Sequence, residues 1–302
     1  MGNETKGLKS LEELETERKT VKNKSRIMYI CGGVLGIIGL VLVFFGFFLG
    51  TILFIPCMIL CIVAASQERS FKKKFKDIIV KKLISDELGV DAVYRPNGGI
   101  SMDEINSLRV AAVPDRYTQE DYISCSYNGI PYEMCDCVMQ ERVVTRDAHG
   151  NTQTSYETYF KGRIIKIDFK RDLNIELKVV NGAPRGFQGR PLTNFDTEVI
   201  EFNKKFKCYA GSKEDGFYIL TPVMIQKMLE LEGMYAGGIC FIVMHGNFYI
   251  LINNSGDSLE VNISKPLDEK QLNRIRADIM IGASIINEFN IDSDKFNVNR
   301  KI

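Results

Sequence analysis

The sequence predicts an α+β protein: an N-terminal transmembrane helical hairpin followed by a cytosolic domain of mainly antiparallel sheet with a few helices. Three observations carry this expectation. Residues 27–65 form a run of 39 residues without a charge. Basic residues crowd both ends of that run. Beyond it, apolar and polar residues alternate with a period of two through much of 121–180, as half-exposed antiparallel strands require.

The apolar run (IMYICGGVLGIIGLVLVFFGFFLGTILFIPCMILCIVAA) is too long for one crossing. At 1.5 Å per residue it would extend about 58 Å as a single helix, against a hydrocarbon core of roughly 30 Å. It starts too far from the N-terminus, and is too long, for the apolar core of a signal peptide. Folded in half near Gly46–Thr51 (GFFLGT), it gives two helices, about 27–46 and 49–66. Both outer ends then share one side, and both are basic: 18–26 carries five basic and no acidic residues, and 67–82 seven basic against two acidic. Short Lys/Arg-rich flanks stay cytoplasmic, so both termini are expected inside an inner (plasma) membrane. A single tilted span with a re-entrant end is the alternative, as is a buried soluble helix. Gly32, Gly36 and Gly39 put small residues on the first span where helices can approach closely, within the hairpin more simply than between copies. Pro56 is expected to kink the second span. Gly2 invites an N-myristoylation reading, but Lys6 stands where that pattern wants Ser or Thr.

Organisation follows from these limits: a polar cytosolic segment 1–26, the spans 27–66, a basic juxtamembrane amphipathic helix 67–90, and a cytosolic α+β domain 91–302. In the third segment Phe71, Phe75, Ile78, Ile79 and Leu83 recur at helical spacing with lysines opposite. One reading is an interfacial helix whose Arg69, Lys72, Lys73, Lys74, Lys76, Lys81 and Lys82 contact anionic headgroups at the membrane surface. The other is an ordinary helix docked on protein with a solvated lysine face.

Within the domain, SMDEINSL reads as a short helix. In DYISCSYNGIPYEMCDC the pair Asn128–Gly129 signals a two-residue hairpin. Its register sets Tyr127 against Ile130, Cys125 against Tyr132 and Ile123 against Met134 on one face, with Ser124, Ser126, Pro131 and Glu133 on the other. Segments 138–146 and 152–160 flank the loop Asp147–Asn151 as a second hairpin. RIIKIDF and IELKVV continue the alternation, giving five or six strands between 121 and 180. Residues 181–196 are a Gly/Pro loop. Thr221 caps a helix with Pro222 at its first position, ending at Gly233. ICFIVMHGNFYILI reads as a hairpin around Gly246–Asn247, apolar on both faces and therefore central. A closing helix starts near Asp268, with Leu272, Ile275, Ile279, Ile286 and Phe289 on one side.

Chemistry is hard to find. Cys125, Cys135 and Cys137 invite a zinc reading, but the hairpin register turns Cys125 to one face and the other two to the opposite one. Buried free thiols in a reducing cytosol fit better. His149 lies in a hairpin loop and His245 beside a tight turn, neither in a nucleophile setting. Gly182, Gly186 and Gly189 are spaced wrongly for a dinucleotide fingerprint, and Pro191 follows where a helix should begin. No catalytic, metal or cofactor-binding residue is expected. Residues 83–302 carry a net charge of −6, which disfavours nucleic acid as a partner.

The stretches FKGRIIKIDFKR, EVIEFNKKFKCYA, YILTPVMIQKMLEL and CFIVMHGNFYILI resemble the uncharacterised bacterial membrane-protein family known as domain of unknown function 3137. Phe160 and Gly162 with the IDF strand, the Phe202–Phe206 spacing, Leu220–Thr221–Pro222 ahead of Met224 and Leu229, and the Gly246 hairpin carry the resemblance, over roughly residues 120–265. It implies a bacterial inner-membrane protein with two N-terminal spans and no known activity. The expected function is therefore a membrane-anchored, non-enzymatic, β-rich module that contacts lipid headgroups or a protein partner. The alternatives are a membrane-bound enzyme using carboxylate acid/base chemistry, marked by Asp/Glu converging in a pocket, and a structural subunit of an envelope or transport complex.

Overall fold

The computed structural model describes residues 2–146, 150–171, 173–181, 187–189, 191–235 and 237–296, with side chains from Leu11 onward. His149, Gly182 and Gly186 lie outside the described residues. The chain divides into two compact units: Met1–Leu83 with Leu259–Ala277, and Ile84–Ser258 with Asp278–Ile302. That grouping draws 259–277 out of the segment 91–302.

In the first unit, helix α1 (Gly2–Phe44) runs without a break from the polar N-terminal segment through the first half of the apolar run. A reversal follows at Phe45–Phe47, where Gly46 adopts φ +85°, and a 3-10 turn covers Phe48–Leu53. Thr51, the one hydroxyl of the reversal, donates to Phe48 O at 2.7 Å. Helix α2 (Phe54–Phe75) leads through a π turn (Lys76–Val80) into α3 (Lys81–Leu88). Pro56 falls in the first turn of α2, just after the 3-10 turn, where proline is tolerated in a helix.

Burial along α1 repeats every seven residues. Arg18, Ser25, Gly32 and Gly39 are buried, and Leu14, Val21, Met28, Leu35 and Leu42 fall at the intervening positions, buried or half-buried. This is the seam of an antiparallel coiled pair. Its apolar half is lined by small residues because the backbones nearly touch: a Cβ on Gly39 would stand 2.8 Å from Gly50 O, and one on Gly32 3.4 Å from Cys57 O. Glycine there lets the two helices approach within the hairpin.

The second unit contains a nine-stranded, wholly antiparallel sheet. Its strands are β1 (Val93–Arg95), β2 (Arg116–Tyr127), β3 (Ile130–Arg146), β4 (Thr152–Asp168), β5 (Leu177–Asn181), β6 (Thr193–Phe195), β7 (Phe206–Ala210), β8 (Gly238–Met244) and β9 (Asn247–Asn253), in the order β1-β2-β3-β4-β9-β8-β5-β7-β6. The Asn128–Gly129 turn sets the expected register, pairing Ile123 with Met134, Cys125 with Tyr132 and Tyr127 with Ile130. Two expectations need correction. Among the described residues between 121 and 180 there are four strands, because β3 and β4 each run 17 residues and a bulge at Met139/Gln140 absorbs the irregularity that suggested separate pieces. The β8–β9 turn is His245–Gly246, both at positive φ (54° and 70°), so Met244 pairs with Asn247 and Asn247 belongs to the strand.

Short helices complete the unit: α4 (Met102–Ser107), capped by Ser101; α5 (Ile200–Lys205); α6 (Lys213–Ile219); and α7 (Pro222–Met234), capped by Thr221, whose hydroxyl accepts from Met224 N. The last helix, α8 (Glu269–Glu288), starts on Asp268, which accepts from Gln271 N at 2.9 Å. One sheet face packs Cys135, Cys137, Phe160, Ile164, Ile242 and Leu251 with Ile105 and Leu108. On the other, Phe241 and Phe248 pack their rings against Phe289 at 6.2 and 5.7 Å. Strands β8 and β9 are buried on both faces, as their continuous apolar sequence requires.

Candidate functional site

The most elaborate polar construction in the first unit lies where the hairpin leaves its apolar half. Glu15 and Arg18 sit three residues apart on α1 and form a two-pronged pair: Arg18 Nε and Nη2 donate to Glu15 Oε2 and Oε1 at 2.8 and 2.7 Å. The third guanidinium nitrogen donates to Ile263 O at 2.6 Å, and Glu15 accepts from Leu267 N at 3.0 Å. One turn further on, Lys22 donates to Ser264 O at 2.9 Å. Arg18 is 4 % exposed, so its charge requires this full set of partners. The Arg18 hydrogen bonds hold the Glu15 carboxyl down at about 2 against the pull of burial.

Helix α2 grips the same segment. Lys72 and Lys76, one turn apart, ion-pair with Glu260 at 2.8 and 2.6 Å. Burial alone would raise the Glu260 pKa, and the two ammonium groups override it and lower it. Residues 259–267 are thus clamped by α1 on one side and α2 on the other.

The lysine-rich helix divides accordingly. Its apolar positions Phe71, Phe75, Ile79 and Leu83 are buried on protein and Ile78 is exposed. Lys72 and Lys76 belong to the clamp, Lys74 pairs with Glu17 of α1, and Lys81 pairs with Asp77 at 3.0 Å. Arg69, Lys73, Lys81 and Lys82 are exposed. Sequence reasoning missed the partners from elsewhere: Lys22, Glu260 and the 262–274 segment, which brings Lys265, Lys270 and Arg274. The heptad spacing of Leu11, Leu14, Arg18, Val21 and Ser25 was the available signal, obscured by the arginine and serine within it.

In the second unit two carboxylates do converge. Lys166 lies between Glu104 at 2.7 Å and Glu133 at 3.6 Å, while Tyr249 and Tyr122 donate to Glu104 and Glu133, each at 2.9 Å. The adjoining hollow, about 120 Å³, is lined by Ser124, Glu133, Lys166, Asp168 and Asn247. Burial opposes the Lys166 charge, yet the two carboxylates raise its pKa. One cation thus bridges two carboxylates in a network joining α4 to the sheet.

Deeper in, Arg163 donates to Asp136 Oδ1 at 2.9 Å and to Asp278 O at 2.6 Å, and Asp136 Oδ2 accepts from Ser258 N at 2.7 Å. Of the cysteines, Cys135 and Cys137 are in the core, and burial pushes the Cys135, Cys208 and Cys240 thiols up to about 12. His245 is exposed in its turn.

An exposed apolar helical hairpin joined to an antiparallel β-rich unit with a few helices is the class of protein these features define. Residues 158–291 match the family described as "Protein of unknown function (DUF3137)". The match starts and ends later than the resemblance over 120–265, taking in the whole of α8. The residues that carry the resemblance are structural: Phe202 packs on Phe206 at 4.9 Å, and a Cβ on Gly162 would lie 1.9 Å from Ile252 O. No curated protein matches the chain. A crystal structure of the mycobacterial trehalose monomycolate transport factor A, TtfA, is similar at 8% identity, over 69% of this chain and 92% of that chain, with a TM-score of 0.39. That likeness is too slight to carry a functional argument.

Proposed function

We propose that the protein is a non-enzymatic module of the bacterial inner membrane. Its hairpin crosses the bilayer twice, both termini are cytoplasmic, and the β-rich unit works at the cytoplasmic face on lipid headgroups or a protein partner. One observation carries the reading. The charge-free half of each helix is exposed along its length, with Ile37 at 67 %, Leu40 at 63 %, Phe48 at 83 % and Met58 at 64 %. A helix in a soluble core would bury such side chains, and this much contiguous apolar surface needs lipid. Residues 27–44 and 48–66 extend about 27 and 32 Å, close to the hydrocarbon thickness. Immediately beyond come Lys22, Lys24 and Arg26 on α1 and Arg69 and Lys73 on α2, a cationic collar at headgroup depth.

The test is alkaline extraction of membranes from expressing cells, followed by proteolysis of inverted and right-side-out vesicles. The protein should stay with the membrane, and its β-rich unit should be digested only in inverted vesicles. Release by alkali, or digestion from the outer side, would overturn the proposal.

A further inference from the structure

Within the first unit, the loop 262–266 lies beside the first turns of α8 and borders an open cleft of about 390 Å³ lined by Asn262, Lys265, Pro266, Asp268, Lys270, Gln271 and Arg274. Three of these are cationic. The single carboxylate, Asp268, is already engaged as the cap of α8. A buried glutamine fixes the loop: Gln271, 7 % exposed, accepts from Asn262 N at 2.5 Å and donates to Pro266 O at 2.7 Å. Arg274 is steadied by donating to Glu260 O, the residue that α2 clamps. The cations are therefore presented on a preformed frame, which lowers the ordering cost of binding an anion.

Depth is set by α1. Lys22 holds Ser264 O, and Lys22 is five residues from Ile27, where the apolar run begins. That is about 7 Å along the helix, within the headgroup layer and inside one Debye length at physiological salt. The geometry points to a binding site for the phosphate of an anionic lipid headgroup, made by Lys265 and Lys270 with Arg274 behind them. This site rests on the proposed membrane crossing, and it adds a discrete stoichiometric contact to the diffuse attraction of the collar.

The test uses the full chain in nanodiscs of mixed phosphatidylglycerol and phosphatidylcholine, with native mass spectrometry of the lipid retained after release into detergent. Wild type should retain phosphatidylglycerol in preference to phosphatidylcholine. Lys265→Gln combined with Lys270→Gln should weaken that retention at least about tenfold, through loss of charge-assisted hydrogen bonds to one phosphate, while Arg69→Gln combined with Lys73→Gln, which thins only the diffuse collar stripped by detergent release, should weaken it no more than about threefold. Equal losses in the two variants would mean collar attraction only and would overturn the site. Displacement of the lipid by millimolar inorganic phosphate would overturn the lipid as its ligand. Failure to enter nanodiscs at all would instead overturn the membrane crossing, so the two claims fail separately.

Discussion

Arg18 donates to the main-chain carbonyl of Ile263 at 2.6 Å, across 245 positions of sequence. Helix α1 is thereby tied to the segment that leads into the last helix, from a side chain at a seam position of the hairpin. Arg18→Ala should leave Glu15 with only the exposed Lys19 at 3.7 Å and should remove the donor to the Ile263 carbonyl. A loss of about 3 kcal/mol is expected, the usual cost of breaking a buried pair from one side. Thermal unfolding of the detergent-solubilised chain checks it, and an unchanged midpoint would mean the tie carries no stability.

The clamp should be acid-labile. The Glu15 carboxyl titrates at about 2 in the folded chain against an ordinary 4.5, and Glu260 is lowered as well. A depressed carboxylate stabilises the fold above its ordinary pKa and loses that contribution as pH falls through its folded value. Stability should therefore decline between about pH 4.5 and 2, and Glu15→Gln should flatten part of that slope. Unfolding midpoints measured across this range for both chains provide the comparison.

Gly39 holds the apolar halves of the helices together. Leucine there would drive a side chain into Gly50 O, 2.8 Å from its Cβ, and should force α1 and α2 apart. A disulfide engineered across the seam should form readily in wild type and poorly in Gly39→Leu. Gly33, with nothing within 4 Å of its Cβ, is the control: Gly33→Leu should leave crosslinking intact.

Two glycines of the second unit should respond in opposite directions. Gly162→Ala places a Cβ 1.9 Å from Ile252 O at the end of the β4–β9 pairing, and should cost about 3 kcal/mol or prevent folding. Gly233→Ala, in α7 with open space around its Cβ, should gain about 0.5–1 kcal/mol through helix propensity. Unfolding midpoints of the two variants decide both.

What the sequence made legible was local. The reversal at Gly46–Thr51 follows from an apolar run too long for one crossing, the β2–β3 register from Asn128–Gly129, and the start of α7 from Thr221–Pro222. The clamp stayed hidden because Glu260, Ile263 and Leu267 lie some 240 residues from Glu15 and Arg18, and no periodicity links them. Phe71, Phe75, Ile79 and Leu83 announced an amphipathic helix, but periodicity gives only the existence of an apolar face. Protein and lipid satisfy it equally, and here protein covers it. Strand lengths were misjudged because a bulge such as Met139/Gln140 interrupts the alternation without ending the strand.

The account stands most directly on the position of the hairpin tip. A phosphatase reporter inserted after Phe47 and a fluorescent reporter fused after Ile302 read the two ends in one cell. The account predicts phosphatase activity outside the cytoplasm and fluorescence within it. A tip reporter that stays cytoplasmic, or a carboxyl end found outside, would contradict a two-span anchor.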